Sequence, residues 1–142
     1  MSNASQTRPA GLFLLQLQSS TGGLLGAPQL NLTLTVYTPT EQVTGFAEVS
    51  QAVTPPSGQT KSHVNGVLIY ETVTGSGSKV RIDVTGYPII QWPQHAGIGP
   101  VIPTNFKATV LLNPQMTEGA VDYQWQTSDG TWHHTHQPIA KV

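Results

Sequence analysis

The chain contains no cysteine. Disulfides, thiolate catalysis and cysteine-based zinc sites are therefore excluded, and cysteine usage says nothing about redox compartment. Charge is nearly as scarce. Charged residues make up 9% of the 142 positions, against about 25% in an average protein. Six basic residues face seven acidic ones, for a net charge of -1. Nucleic-acid binding leaves a basic patch as its electrostatic footprint, so no nucleic-acid partner is expected. No run approaches the roughly 18 consecutive apolar residues of a transmembrane helix, and no membrane partner is expected. Disorder is signalled by low hydrophobicity together with high net charge; here the charge is missing.

What is present is uncharged polarity, with 18 Thr and 13 Gln. The apolar share of 37% is enough for a core, and the length suits one domain. The first ten residues read as a flexible arm, and residues 11–142 as one domain. Arg8 before Gly11-Leu12-Phe13-Leu14-Leu15 faintly resembles a signal peptide. Gln16 and Gln18 break that apolar run at once, and no small-residue cleavage site follows. The segment reads as a strand. With no export signal, the cytoplasm is the default location, and export by a signal-less route stays open.

The clearest pattern is Leu30-Asn31-Leu32-Thr33-Leu34-Thr35-Val36-Tyr37. Strict apolar/polar alternation marks a half-buried strand. The same alternation recurs at Val80-Ile82-Val84, at Phe106-Ala108-Val110-Leu112 and at Val121-Tyr123-Trp125. Less regular candidates cover 12–18, 43–53, 63–73 and 132–136. Turn signals separate them: Thr21-Gly22-Gly23, Pro55-Pro56-Ser57-Gly58, Gly75-Ser76-Gly77-Ser78, Asn113-Pro114 and Asp129-Gly130. No stretch keeps a 3.6-residue apolar period, so almost no helix is expected. The fold expected is all-β, an antiparallel β-sandwich of about eight strands. Gly86 to Thr104 breaks the rhythm with Pro88, Pro93, Pro100 and Pro103. Proline fixes φ and removes a donor, so this is a long loop. Its Tyr87, Ile89, Ile90, Trp92, Val101 and Ile102 make it apolar enough to pack over one end or flank.

Four stretches carry a family resemblance. They are Gly11-Leu12-Phe13; Thr38-Pro39 through Val43-Thr44-Gly45; Gln51-Ala52-Val53-Thr54-Pro55-Pro56; and Gly86-Tyr87-Pro88 through Trp92-Pro93-Gln94-His95-Ala96-Gly97-Ile98-Gly99-Pro100-Val101. Over roughly residues 11–140 the chain resembles a bacterial all-β family known only as a domain of unknown function. The resemblance implies no activity and carries over no catalytic residue.

Four constellations could carry chemistry. His134 and His136 share one face of a strand, and two imidazoles at that spacing suit Zn, Cu or Ni. A third ligand would have to come from His95, His63, Asp122 or Asp129; the bland alternative is a solvated polar face. In the long loop, Tyr87, Trp92, Gln94 and His95 combine rings with hydrogen-bonding groups, as a sugar site would. The bland alternative makes Trp92 an anchor whose N–H meets one acceptor. The carboxylates Glu41, Glu48, Glu71, Glu118, Asp83, Asp122 and Asp129 show no pairing that sequence can assign, and Gly75-Ser76-Gly77-Ser78 lacks the spacing of a nucleophile elbow. Lastly, Leu12-Phe13-Leu14-Leu15 is apolar on both faces and must be covered on both. Either the long loop covers it within one chain or another subunit does.

These readings lead to a non-catalytic interaction module that assembles with copies of itself, with no cofactor and no enzymatic activity. Leu12, Phe13, Leu15, Trp92, Ile98 and Val101 are its expected interface or loop-anchoring residues, and Thr and Gln pairs add hydrogen bonds across strands. The alternative is a glycan-binding lectin using the 86–104 loop.

Overall fold

The structure, a computed structural model, describes residues 11–24, 26–51, 59–71, 79–89 and 102–142. Eight strands follow one another along the chain: β1 (Leu12–Ser19), β2 (Pro28–Tyr37), β3 (Gln42–Gln51), β4 (Thr60–Glu71), β5 (Lys79–Pro88), β6 (Phe106–Leu112), β7 (Glu118–Gln126) and β8 (Trp132–Lys141). No helix occurs among the described residues. Each strand pairs antiparallel with the next, and β8 pairs with β1, so the sheet closes into a barrel.

The expected sandwich is therefore corrected to an eight-stranded barrel. Alternation at period two says that one face of each strand is buried. It does not say whether that face packs on a second sheet or on the far wall of its own. Pairing in strict chain order, with the last strand meeting the first, gives one wall around one core. The loop expected from Gly86 is also shorter than thought. Gly86, Tyr87 and Pro88 end β5, and residues 90–101 lie outside the described residues. So do the Pro55-Pro56 turn and the Gly75–Ser78 turn.

The alternating apolar sets all face inward. Leu30, Leu32, Leu34 and Val36 are fully buried, as are Ile82, Val110, Leu112 and Val121. Some inward positions must hold glycine. A Cβ on Gly66 would lie 1.8 Å from the Asp83 carbonyl oxygen, and one on Gly119 as close to that of Leu111. The neighbouring strand's carbonyl stands where a side chain would, so the two strands approach closely there. Met116, at φ 58°, turns its side chain into the core from the β6–β7 turn. Asn113 holds that turn: its Oδ1 accepts from Thr117 N–H at 2.8 Å and its Nδ2 donates to Thr117 Oγ1 at 2.7 Å. On β6 and β7, rings fill the core: Phe106 lies 6.3 Å from Tyr123 and Tyr123 5.3 Å from Trp125, while the exposed His133 of β8 stacks on Trp125 at 5.3 Å.

The seam between β1 and β8 is the weakest join. Only Leu17–Ser19 and Ile139–Lys141 pair across it. Ser20 N–H donates to the Pro138 carbonyl at 2.9 Å. A residue's N–H and C=O point to the same side of an antiparallel strand, so the donor that Pro138 lacks is the one that would continue this ladder. Side chains complete the join. Gln137 Nε2 donates to the Pro28 carbonyl at 2.8 Å, and its Oε1 accepts from the Tyr123 hydroxyl at 2.7 Å. On the other side of β1, Ser19 Oγ accepts from Leu30 N–H of β2 at 2.8 Å. Burial pushes the Tyr123 phenol up to about 12, with a hydrogen bond to Ser19 acting weakly the other way. It stays a neutral donor.

Candidate interaction surface

Apolar side chains pack the barrel core, and polar and apolar side chains share its outer wall. The β1 strand shows how the two surfaces divide. Phe13 and Leu15 point inward, Phe13 half-buried against the core and Leu15 within it. Both were expected as interface or loop-anchoring residues, and both pack with the core. Leu12 and Leu14 point outward and are 67% and 60% exposed. Leu12 pairs with Tyr37, itself exposed, and Leu14 pairs with Thr35. Leu14, which the sequence reading did not single out, thus joins Leu12 in an apolar outer patch. Alternation was the available signal, and it is obscured where both faces are apolar.

The edge of β1 is also open there. Val142 N–H donates to the Gln16 carbonyl at 3.0 Å, the last bond of the seam in that direction. By alternation, Leu12 and Leu14 aim their backbone groups the same way. Among the described residues no strand pairs with this side of Leu12–Leu15. Trp92, Ile98 and Val101 lie outside the described residues.

Beside the β1 seam the outer wall is concave. A depression of ≈850 Å³ crosses from β5 to β2. Ala120, Pro138 and Ala140 line it together with Leu111, Gln18, Lys79 and Glu118. Register explains the shape. Leu111 pairs with Ala120, Ala120 with Pro138, and Ala140 with Gln18. Three short outward side chains thus stand together between longer ones.

Tyr87 stands outward on β5, 37% exposed. Its register partner is His63, and the next partner is Phe46, 54% exposed. The Phe46 and His63 rings are 5.4 Å apart. Sequence reasoning missed this row because register, not sequence proximity, assembles it. A depression of ≈270 Å³ beside Phe46 is lined by Asn31, Thr33, Glu48, Lys61 and Ile89. Gln94 and His95 lie outside the described residues.

His134 and His136 do share the outer face of β8. Asp122 on β7 lies between them, with Oδ1 2.6 Å from His134 Nε2 and Oδ2 3.8 Å from His136 Nδ1. All three side chains are at least half exposed. The closer contact is a hydrogen bond. Among the described residues no group of three His, Asp or Glu side chains is arranged to hold a metal ion. His63 belongs to the aromatic row instead. Asp129 sits in the β7–β8 turn, where Thr127 Oγ1 donates to it at 2.6 Å and Thr131 N–H at 3.0 Å. These bonds, the Thr127 hydroxyl foremost, hold its carboxyl down to about 2. On the wall opposite the seam, Arg81 joins Asp83 at 2.9 Å and Glu71 at 3.5 Å, and Thr109 Oγ1 donates to Asp83 at 3.0 Å. Asp83, through hydrogen bond and charge, raises the Arg81 guanidinium further. These carboxylates are tied into exposed ion pairs and turns.

Comparison with curated proteins finds no match. A family profile, in contrast, matches residues 10–132, most of the barrel. The chain belongs to the family described as Domain of unknown function (DUF1842).

Proposed function

We propose that the chain is a non-catalytic interaction module that assembles with copies of itself. The observation that carries this reading is Leu12 and Leu14, exposed side by side on a strand whose edge is open among the described residues. Exposed edges are normally guarded by charge, and β1 carries none. The net charge of -1 puts little repulsion between copies. The packed interior supports a role for the outer wall rather than for an enclosed ligand. The outer wall is rich in Thr, Gln and Asn while the core is apolar, the reverse of a barrel that faces lipid.

Light scattering after size exclusion tests the reading. The expected mass is a fixed multiple of 15.2 kDa, and Leu14→Lys is expected to return it to the single-chain value. A single-chain mass for the unmodified protein at every concentration overturns it.

A carbohydrate reading is the alternative, favoured by the Phe46–His63–Tyr87 row and the adjoining depression. An exposed ring offers a face to sugar C–H groups, and Asn31, Glu48 and Lys61 offer hydrogen bonds to hydroxyls. A glycan screen with Phe46→Ala as control decides it. Binding lost in the variant supports the reading, and no binding by the unmodified protein ends it.

A further inference from the structure

We infer that the depression beside Phe46 takes one neutral hexose unit of a glycan. The inference rests on the carbohydrate reading and deepens it by naming the class of sugar and how much of a chain is held. Shape limits the length. The depression measures ≈270 Å³, which suits a single pyranose ring rather than a run of them. The wall also turns away across the strands. Phe46 and His63 are register partners on β3 and β4, and their rings are tilted by 46°. A flat run of sugars stacked on Phe46 therefore lifts off before it reaches Tyr87, one strand further on.

Chemistry sets the class. Phe46 and Ile89 both line the depression, and both are more than half exposed. A pyranose lays its C–H face on a ring such as Phe46 and carries its hydroxyls around its edge. Register puts polar side chains alongside. Asn31 pairs with Glu48 and Glu48 with Lys61. Glu48 is two residues along β3 from Phe46 and on the same face, roughly 6.6 Å away at about 3.3 Å per residue. A few polar groups beside an apolar surface are the usual make-up of a small-ligand site. Lys61 Nζ lies 3.8 Å from Glu48 Oε2, beyond hydrogen-bond length. Each therefore keeps capacity for a hydroxyl: the carboxylate accepts and the ammonium donates. Their charges cancel, so the site favours a neutral sugar over a uronic or sialic acid.

Ligand-observed NMR tests this with the methyl glycosides of glucose, galactose and mannose, neutral oligosaccharides of increasing length, and glucuronic and sialic acid glycosides. At least one neutral methyl glycoside is expected to bind, and lengthening the chain is expected to add little. Phe46→Ala is expected to abolish that binding. Glu48→Gln is expected to weaken it about tenfold, the loss that follows a hydrogen bond to a charged group. Tyr87→Ala, which does not line the depression, is expected to leave it unchanged. Melting temperatures show that each variant is folded. If only the acidic glycosides bind, or if affinity climbs with chain length and falls in Tyr87→Ala, the single neutral unit is wrong and the carbohydrate reading stands. Binding untouched by Phe46→Ala and Glu48→Gln overturns the inference as well. If no sugar binds, both fall.

Discussion

The outer wall has two characters. On β1 to β3 the strand positions carry Gln, Thr, Asn and Ser with Leu12, Leu14, Tyr37 and Phe46, and Glu48 is their one charge. On β4 to β8 stand Lys61, Glu71, Lys79, Arg81, Asp83, Lys107, Glu118, Asp122 and Lys141. The second wall is laced by ion pairs and by the His134–Asp122 contact. The core behind both is the same close-packed apolar layer. The difference lies in the outer face alone. Burying a charge costs heavily unless it is paired, so a wall with almost no charge is the cheaper one to cover.

The largest test of this division lies within β1 itself. Leu15→Ala is expected to destabilise the barrel by about 2–5 kcal/mol, the range for a buried leucine. Leu14→Ala, one position away on the outer face, is expected to change a dilute single chain by within about 0.5 kcal/mol. Denaturant titration of both measures the contrast, and equal losses would erase the distinction between the two faces.

The seam where the two walls meet comes next. Gln137→Ala removes the partner of both the Tyr123 hydroxyl and the Pro28 carbonyl. Leaving buried polar groups unsatisfied costs about 1–3 kcal/mol. Hydrogen exchange is expected to quicken first near Gln18 and Ala140, which pair across the join.

On the charged wall the effect is smaller. Asp83→Ala breaks exposed contacts to Arg81 and Thr109, and exposed pairs contribute about 0–1 kcal/mol. The loss is expected to shrink in high salt, whereas the loss from Leu15→Ala is not. Parallel melts at low and high salt check both.

The smallest effect belongs to the β7–β8 turn. Asp129 ionises at about 2 in the folded chain, below the 3.8 of a free side chain. A lowered carboxylate contributes stability that is complete above the ordinary value and is lost as pH falls through the folded one. The Thr127 and Thr131 contacts are expected to weaken between about pH 4 and pH 2, and Asp129→Asn to abolish that change. Chemical-shift titration of the turn residues measures it.

Much of the barrel was legible in the residues. Leu30, Leu32, Leu34 and Val36 announced a strand and its buried face, and the structure buries all four. Asp129-Gly130 announced a turn, and Gly130 takes φ 87° there. Which of Leu12 to Leu15 face inward was not legible, because an apolar residue on each side of a strand removes the contrast that assigns faces. The aromatic row was invisible because Phe46, His63 and Tyr87 sit on three strands, and only register aligns them. The depression was hidden for the same reason. Ala120, Pro138 and Ala140 are unremarked residues until two strands set them together and the wall around them stands higher.

The sequence by itself determined the strands, most of their inward faces and the scarcity of charge, since each depends on neighbours at i and i+2. Tertiary structure alone decided that the sheet closes on itself, that the seam is short, and that the outer wall divides in two. Closure depends on whether the eighth strand comes back beside the first. That outcome rests on twist, on close strand approach at Gly66 and Gly119, and on the short β1–β8 pairing with the Gln137 contact beside it. None of these is a local property of the chain.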